Sequence, residues 1–143
     1  MKGNDYIKEK TKEWFKKGDS DIKTAEILIR DADPPTDTTC FHCQQAVEKY
    51  LKGYLTIEGI EFLKSHDLDY LLKLCKGGDN EFEAQREAVL TLNKYGIEPR
   101  YPADIPVHYS FEETKRAIGL AKEMVKFVRK KYIMKIHHEG KKV

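Results

Sequence analysis

Cys40-Phe41-His42-Cys43-Gln44-Gln45-Ala46-Val47-Glu48-Lys49-Tyr50-Leu51-Lys52-Gly53 decides the fold, because at about 100° per residue each of its side chains falls on a definite face. Read over about Thr39 to Glu58, the stretch puts Cys43, Ala46, Val47, Tyr50, Leu51, Tyr54 and Leu55 on one side with Cys40. His42, Gln45, Lys49, Lys52 and Thr56 share the other. Such sorting is the pattern of an amphipathic helix. Two residues break it. Gln44 lies between Cys40 and Leu55 on the apolar side, and a buried amide needs internal hydrogen-bond partners. Phe41 points toward the polar side, which predicts cover from another chain.

Working outward, a first helix is expected from about Asn4 to Arg30, with Ile7, Trp14, Ile22, Ala25, Leu28 and Ile29 in one arc and Asp21 inside that arc. Asp33-Pro34-Pro35 ends it, and Thr36 to Thr39 offer N-caps for the next. Ser65 is the expected N-cap of a short third helix whose core face is Leu68, Leu71, Leu72 and Cys75. Gly77-Gly78-Asp79 breaks the chain, and Asn80-x-x-Glu83 reads as a capping box for a fourth helix ending near Tyr95. Gly96 to Tyr109 holds Pro99, Pro102 and Pro106 and reads as a loop. Ser110-x-x-Glu113 opens the last helix, with Ala117, Ile118, Ala121, Met124, Val125, Val128 and Tyr132 on one face and Lys115, Lys122, Lys126 and Arg129 opposite. Residues 137–143 read as a polar tail that frays. Strand-like alternation is not sustained anywhere. The expected fold is therefore all-α, an up-and-down antiparallel bundle of four to five helices over residues 1–136.

A chain of 143 residues suits one domain with one core. With 40% hydrophobic and 35% charged residues, the apolar side chains must be gathered into stripes. No apolar run reaches the roughly 18 to 20 residues needed to span a bilayer, and the start MKGNDYIKEK lacks a signal-peptide core, so a cytoplasmic location is expected. Cys40, Cys43 and Cys75 are an odd number, suited to a reducing compartment. Cys40-x-x-Cys43 sits inside a helical pattern without a second pair, so core packing is expected, with neither metal nor cofactor. Residues 110–143 carry 10 Lys+Arg against 4 Asp+Glu, whereas residues 1–109 carry 16 against 20. The last helix is thus a candidate contact for phosphates or an acidic partner, or simply a solvated face.

The stretch from Cys40 to Gly53 resembles the signature helix of the HEPN family, usually close to C-F-H-A-Q-Q-A-A-E-K-A-L-K-A. Trp14 with the later Asp21-Ile22-x-x-Ala25 is similar to the family's first helix, Ser65-His66-Asp67-Leu68 to its T-H-x-L step, and Arg100-Tyr101-Pro102 to its R-Y-P loop. The resemblance implies a helical bundle that commonly dimerises and often works beside a small nucleotidyltransferase, as in toxin–antitoxin-like pairs. Some members are metal-independent ribonucleases carrying an Arg followed by a His with four to six residues between them. None of the five arginines here has a His at that spacing, for Arg100 to His108 and Arg129 to His137 each enclose seven residues.

His42, Lys49 and Lys52 on the polar side could hold phosphate oxygens, with Arg100 and Tyr101 of the proline-fixed loop completing a nucleotide-binding cleft. The bland alternatives are solvated lysines and an Arg that ties its loop to the bundle. Gln44 and Glu48 are expected to be structural, satisfying Asp21 or backbone groups. His66 reads as a capping-turn residue. No nucleophile stands beside a base in any recognisable pattern, and His137-His138-Glu139 is a poor metal frame. The leading expectation is a non-catalytic homodimeric module that binds a nucleotide-like ligand or a nucleotidyltransferase. The rivals are a ribonuclease using Arg100 and His108 brought together across a dimer interface, with the basic stripe of the last helix attracting RNA, and a purely structural dimerisation domain. The ligand reading requires the cationic side of the signature helix to be free.

Overall fold

The computed structural model describes residues 3–96 and 108–141. Five α-helices run in the order α1 (Gly3–Leu28), α2 (Thr36–Ile57), α3 (Leu68–Gly78), α4 (Arg86–Asn93) and α5 (Phe111–Lys141), with a 3₁₀ turn (Asn80–Gln85) leading into α4. No strand occurs among the described residues. The all-α bundle expected from periodicity is what forms. No helix is long and apolar enough to cross a membrane among the described residues.

The signature helix α2 is central, with 15 of its 22 residues buried. Its apolar side meets α1, α3 and α5 in one core that contains Cys40, Cys43, Val47, Tyr50, Leu51 and Leu55. The three cysteines are buried and free, as core packing required. Burial pushes the thiols up, Cys40 to about 11 and Cys43 and Cys75 higher still.

Helix α1 approaches α2 more closely than ordinary side chains permit. A Cβ on Gly18 would stand 2.6 Å from the Tyr50 ring and 3.1 Å from the Ala46 carbonyl, and one on Gly53 would stand 2.5 Å from the Phe15 ring. Phe15 instead stacks on Tyr50 at 4.5 Å. The buried stripe of α1 is accordingly Thr11, Phe15, Gly18, Ile22 and Ala25. This corrects the expected arc through Ile7 and Trp14, which are only half-buried. Small residues at the contact, not the largest apolar ones, set the crossing.

Several caps differ from expectation. Helix α2 begins at Thr36 with no side-chain cap, and the Thr36 hydroxyl accepts from the Tyr109 N–H at 3.0 Å. Asp67, not Ser65, caps α3 by accepting from the Asp69 N–H at 3.0 Å. The Asn80-x-x-Glu83 capping box does not form, because Asp79 caps the 3₁₀ turn and α4 starts only at Arg86. At the last helix Ser110 does accept from the Glu113 N–H at 3.0 Å, while the Glu113 carboxylate receives the Tyr95 hydroxyl at 2.6 Å. Helix α5 continues through Lys141, past the point where a polar tail was expected.

Ion pairs join α5 to the rest of the bundle. Lys122 meets Glu26 at 3.1 Å, Lys131 meets Asp79 at 2.8 Å, and Lys135 meets Glu58 at 3.2 Å. Burial pushes Asp79 up, but hydrogen bonds from Lys131 and the Glu81 N–H outweigh it and hold the carboxyl below its ordinary value. Part of the basic face of α5 is therefore engaged within the domain.

Candidate functional site

The polar side of α2 is one hydrogen-bonded network. Asp21 of α1 accepts from His42 Nδ1 at 2.8 Å and pairs with Lys49 at 3.6 Å. Lys49 donates to Gln45 Oε1 at 2.9 Å, and Gln45 Nε2 donates to Gln44 Oε1 at 2.8 Å and to Glu48 at 3.3 Å. Glu48 pairs with Lys52 at 3.1 Å and with His66 Nδ1 at 2.8 Å. Gln44 Nε2 donates to the His66 carbonyl at 2.8 Å. Helical spacing explains the contacts among Gln45, Glu48, Lys49 and Lys52, which are i, i+3 and i+4 neighbours, while Asp21 and His66 are brought in from other elements.

Burial decides what this network can do. The Glu48 and Lys52 side chains are 2% and 7% exposed, so this is a buried ion pair, and Lys52 also lies over the Trp14 ring at 5.5 Å. Lys49 is 18% exposed and His42 28%. Lys52 is thus on the polar side of the helix but not solvated, because the Trp14 ring lies beside its ammonium and Glu48 pairs with it. His42, Lys49 and Lys52 are brought together, yet each already faces a carboxylate. Asp21 and Glu48 stand against the ammoniums of Lys49 and Lys52, and an anion entering here would compete with those carboxylates.

Gln44 behaves as expected of a buried amide, holding a backbone carbonyl. Glu48 is structural too, but its partners are Lys52 and His66, while Asp21 is satisfied by His42 and Lys49. His66 is more than a capping-turn residue. Its backbone is held by Gln44 and its ring by Glu48, and its side chain is 69% exposed. A carboxylate only accepts, so Nδ1 carries the proton in this contact. Among the described residues no group of three His, Cys, Asp or Glu side chains is placed to hold a metal.

Arg100 and Tyr101 lie outside the described residues. His108 does not; its Nδ1 stands 3.2 Å from the Thr36 hydroxyl at the start of α2. The Phe41 side chain is half-buried and meets the His42 ring edge-on at 6.0 Å.

Sequence reasoning missed a second cluster. Tyr50 donates to Asp19 at 2.5 Å, Arg129 of α5 pairs with Asp19 at 2.7 Å, and Arg129 also reaches the Tyr50 hydroxyl. Burial, with the Asp19 hydrogen bond second, pushes the Tyr50 phenol far up. The available signal was a tyrosine in an apolar stripe, whose hydroxyl must find a partner when buried.

Comparisons with known proteins agree with this geometry. A family model for the HEPN domain matches residues 11–131. The solved structure of TT1696 from Thermus thermophilus is 27% identical, with a TM-score of 0.69 over 85% of this chain and 98% of that one. ST0689, an archaeal HEPN homologue, is 20% identical with a TM-score of 0.67 over 85% and 97%, a likeness of fold alone. No curated protein matches. With most of its length matched by that family model, and with its signature helix, first helix and Ser65-His66-Asp67-Leu68 step bonded to one another, the chain belongs to the HEPN family.

Proposed function

We propose that this protein is a non-catalytic HEPN module that dimerises and binds a protein partner, a small nucleotidyltransferase of the toxin–antitoxin-like kind being the partner class the family implies. One observation carries the choice: the polar residues of the signature helix are matched to Asp21, Glu48 and the His66 segment inside the domain. That gives them a structural task and counts against a free nucleotide in a cleft of His42, Lys49, Lys52, Arg100 and Tyr101. It also leaves binding to surfaces that the network does not consume.

The ribonuclease alternative would need His108 beside Arg100. The His108 ring meets Thr36, and the spacing from Arg100 departs from the nuclease pattern.

The test is co-expression with the products of the flanking genes, followed by calorimetry of the purified chain with ATP, GTP and short RNA. A stable complex with a small nucleotidyltransferase, and no heat from free nucleotides or RNA, is the expected result. Saturable heat from ATP or GTP would return the cleft reading. Cleavage of labelled RNA, lost in Arg100→Ala, would establish the nuclease instead.

A further inference from the structure

Helices α1 and α5 both pack on α2, and the seam between them stays open for about two turns. They run antiparallel along it. Asp19 of α1 pairs with Arg129 of α5 at 2.7 Å, while Glu26, further along α1, pairs with Lys122 at 3.1 Å. Two ion pairs thus cross the seam about 10 Å apart. Between them lies a depression of about 450 Å³ floored by Ile22 and Val125, with Lys23 on one lip and Lys126 on the other. On each helix the crossing residues stand at i and i+7, with the floor residue at i+3 and the lip lysine at i+4. One face of each helix therefore supplies the whole arrangement.

The charges of the lining are unequally used. Asp19 and Glu26 are taken up by the crossing pairs, and Arg129 also lies over the Tyr50 ring at 5.5 Å. Lys23 and Lys126 are exposed and pair with no carboxylate among the described residues, and Glu123 is the one further acid of the lining. The unmatched charge is therefore positive, and the segment that supplies α5 adds to it, since residues 110–143 carry 10 Lys+Arg against 4 Asp+Glu. Apolar surface continues past both crossing pairs. Ile133, one turn from Arg129 on α5, is 58% exposed, and Ile27, one turn from Lys23 on α1, is 55% exposed.

This chemistry suits a peptide better than a nucleic acid. None of the residues lining the depression is aromatic, so a base has no ring to stack on, and three carboxylates stand where phosphates would lie. An aliphatic floor between cationic lips instead matches an aliphatic side chain carried between carboxylates. The lysine stems can cover such a guest while their ammoniums meet its acids. We infer that this α1–α5 depression is where the protein partner docks, an aliphatic side chain of the partner entering over Ile22 and Val125 and its flanking carboxylates meeting Lys23 and Lys126. The inference rests on the protein-partner reading above and supplies the surface and the chemistry of the docking segment.

Two readouts on the whole chain test it, each with wild type and with a Lys23→Glu, Lys126→Glu variant whose far-UV circular dichroism and melting match the wild type. The first is fluorescence anisotropy of a labelled helical peptide with leucines at every third or fourth position among glutamates, beside a control peptide with serines for the leucines. The second is co-purification with the small nucleotidyltransferase. The leucine peptide is expected to bind the wild type, and the serine peptide and the charge-reversed variant each to lose at least about tenfold in affinity. The transferase complex is expected to weaken in the same variant. A transferase complex indifferent to the reversals, with no lysine-dependent peptide binding, would overturn this surface while leaving the partner reading standing. Lysine-dependent binding of the leucine peptide without any transferase complex would support the depression and overturn the partner class. Equal binding of both peptides would overturn the apolar anchor. A single-stranded RNA that displaces the peptide and is lost in the variant would assign the surface to nucleic acid and overturn the inference.

Discussion

Replacing Lys52 by Met removes one member of an ion pair whose carboxylate is 2% exposed and whose ammonium is 7% exposed. A buried pair broken on one side leaves a charge in low dielectric and typically costs about 3–5 kcal/mol. Glu48 keeps two contacts in the variant, His66 at 2.8 Å and Gln45 at 3.3 Å, so the low end, about 3 kcal/mol, is the expected loss. Methionine retains most of the lysine stem over Trp14, which keeps the packing term small. Against a total domain stability of about 5–15 kcal/mol, this is a large effect. Glu48→Gln alone strands Lys52 in the same way. Carrying both substitutions removes both charges, so the double variant should lose less than the two single losses added. The non-additivity should amount to about 1–3 kcal/mol. Urea unfolding read by far-UV circular dichroism and by Trp14 fluorescence, with slopes checked for equality, supplies the numbers. A Lys52→Met loss under about 1 kcal/mol, or strict additivity, would refute the claim that this side of the signature helix is an internal fastener.

Gly18→Ala sets a gain of about 1 kcal/mol in helix propensity against a Cβ placed 2.6 Å from Tyr50. Overpacking of that kind costs about 1–3 kcal/mol, so thermal melting should show a net loss, whereas Gly119→Ala, with nothing within 4 Å, should stabilise. Phe82→Ala should cost about 3–5 kcal/mol in urea unfolding, because Phe82 fills the space between Tyr54 at 4.5 Å and Phe127 at 5.0 Å. Alkaline pH should destabilise the fold. Burial raises the thiols of Cys43 and Cys75, with the phenols of Tyr50 and Tyr54 behind them, so their neutral forms are favoured only in the native state. That contribution is intact below the ordinary thiol value of about 8.5 and is lost as pH rises, by about 1.4 kcal/mol per pH unit for each thiol. Melting temperatures of wild type and of a Cys43→Ala, Cys75→Ala variant between pH 7 and pH 10.5 check this, the variant showing the flatter profile.

Much of the fold was legible because α2 and α5 obey a helical period over many residues, and a long period is hard to mimic by chance. The stripe of α1 was misread because hydrophobicity favours Trp14, while the contact with α2 is set by Gly18 and Gly53, whose value is their missing side chains. Caps shifted by one or two residues where several short polar side chains compete, as from Ser65 to Asp67 and from Asn80 to Asp79. At the site, the wheel placed Lys52 on the polar side correctly but could not show that the Trp14 ring lies beside its ammonium. Glu48 and Gln44 were rightly taken as structural, since a polar group inside an apolar stripe must be answered from within. Which groups answered it, Lys52 and His66 rather than Asp21, depends on tertiary placement.

The most direct measurement of the central claim is the histidine and lysine side-chain NMR spectrum of the intact protein during titration with ATP and then with a short RNA. The account predicts that the ring signals of His42 and the ammonium signals of Lys49 and Lys52 stay in place, because Asp21 and Glu48 already occupy them. Saturable shifts centred on His42, Lys49 and Lys52 would contradict it and restore the anion-binding cleft.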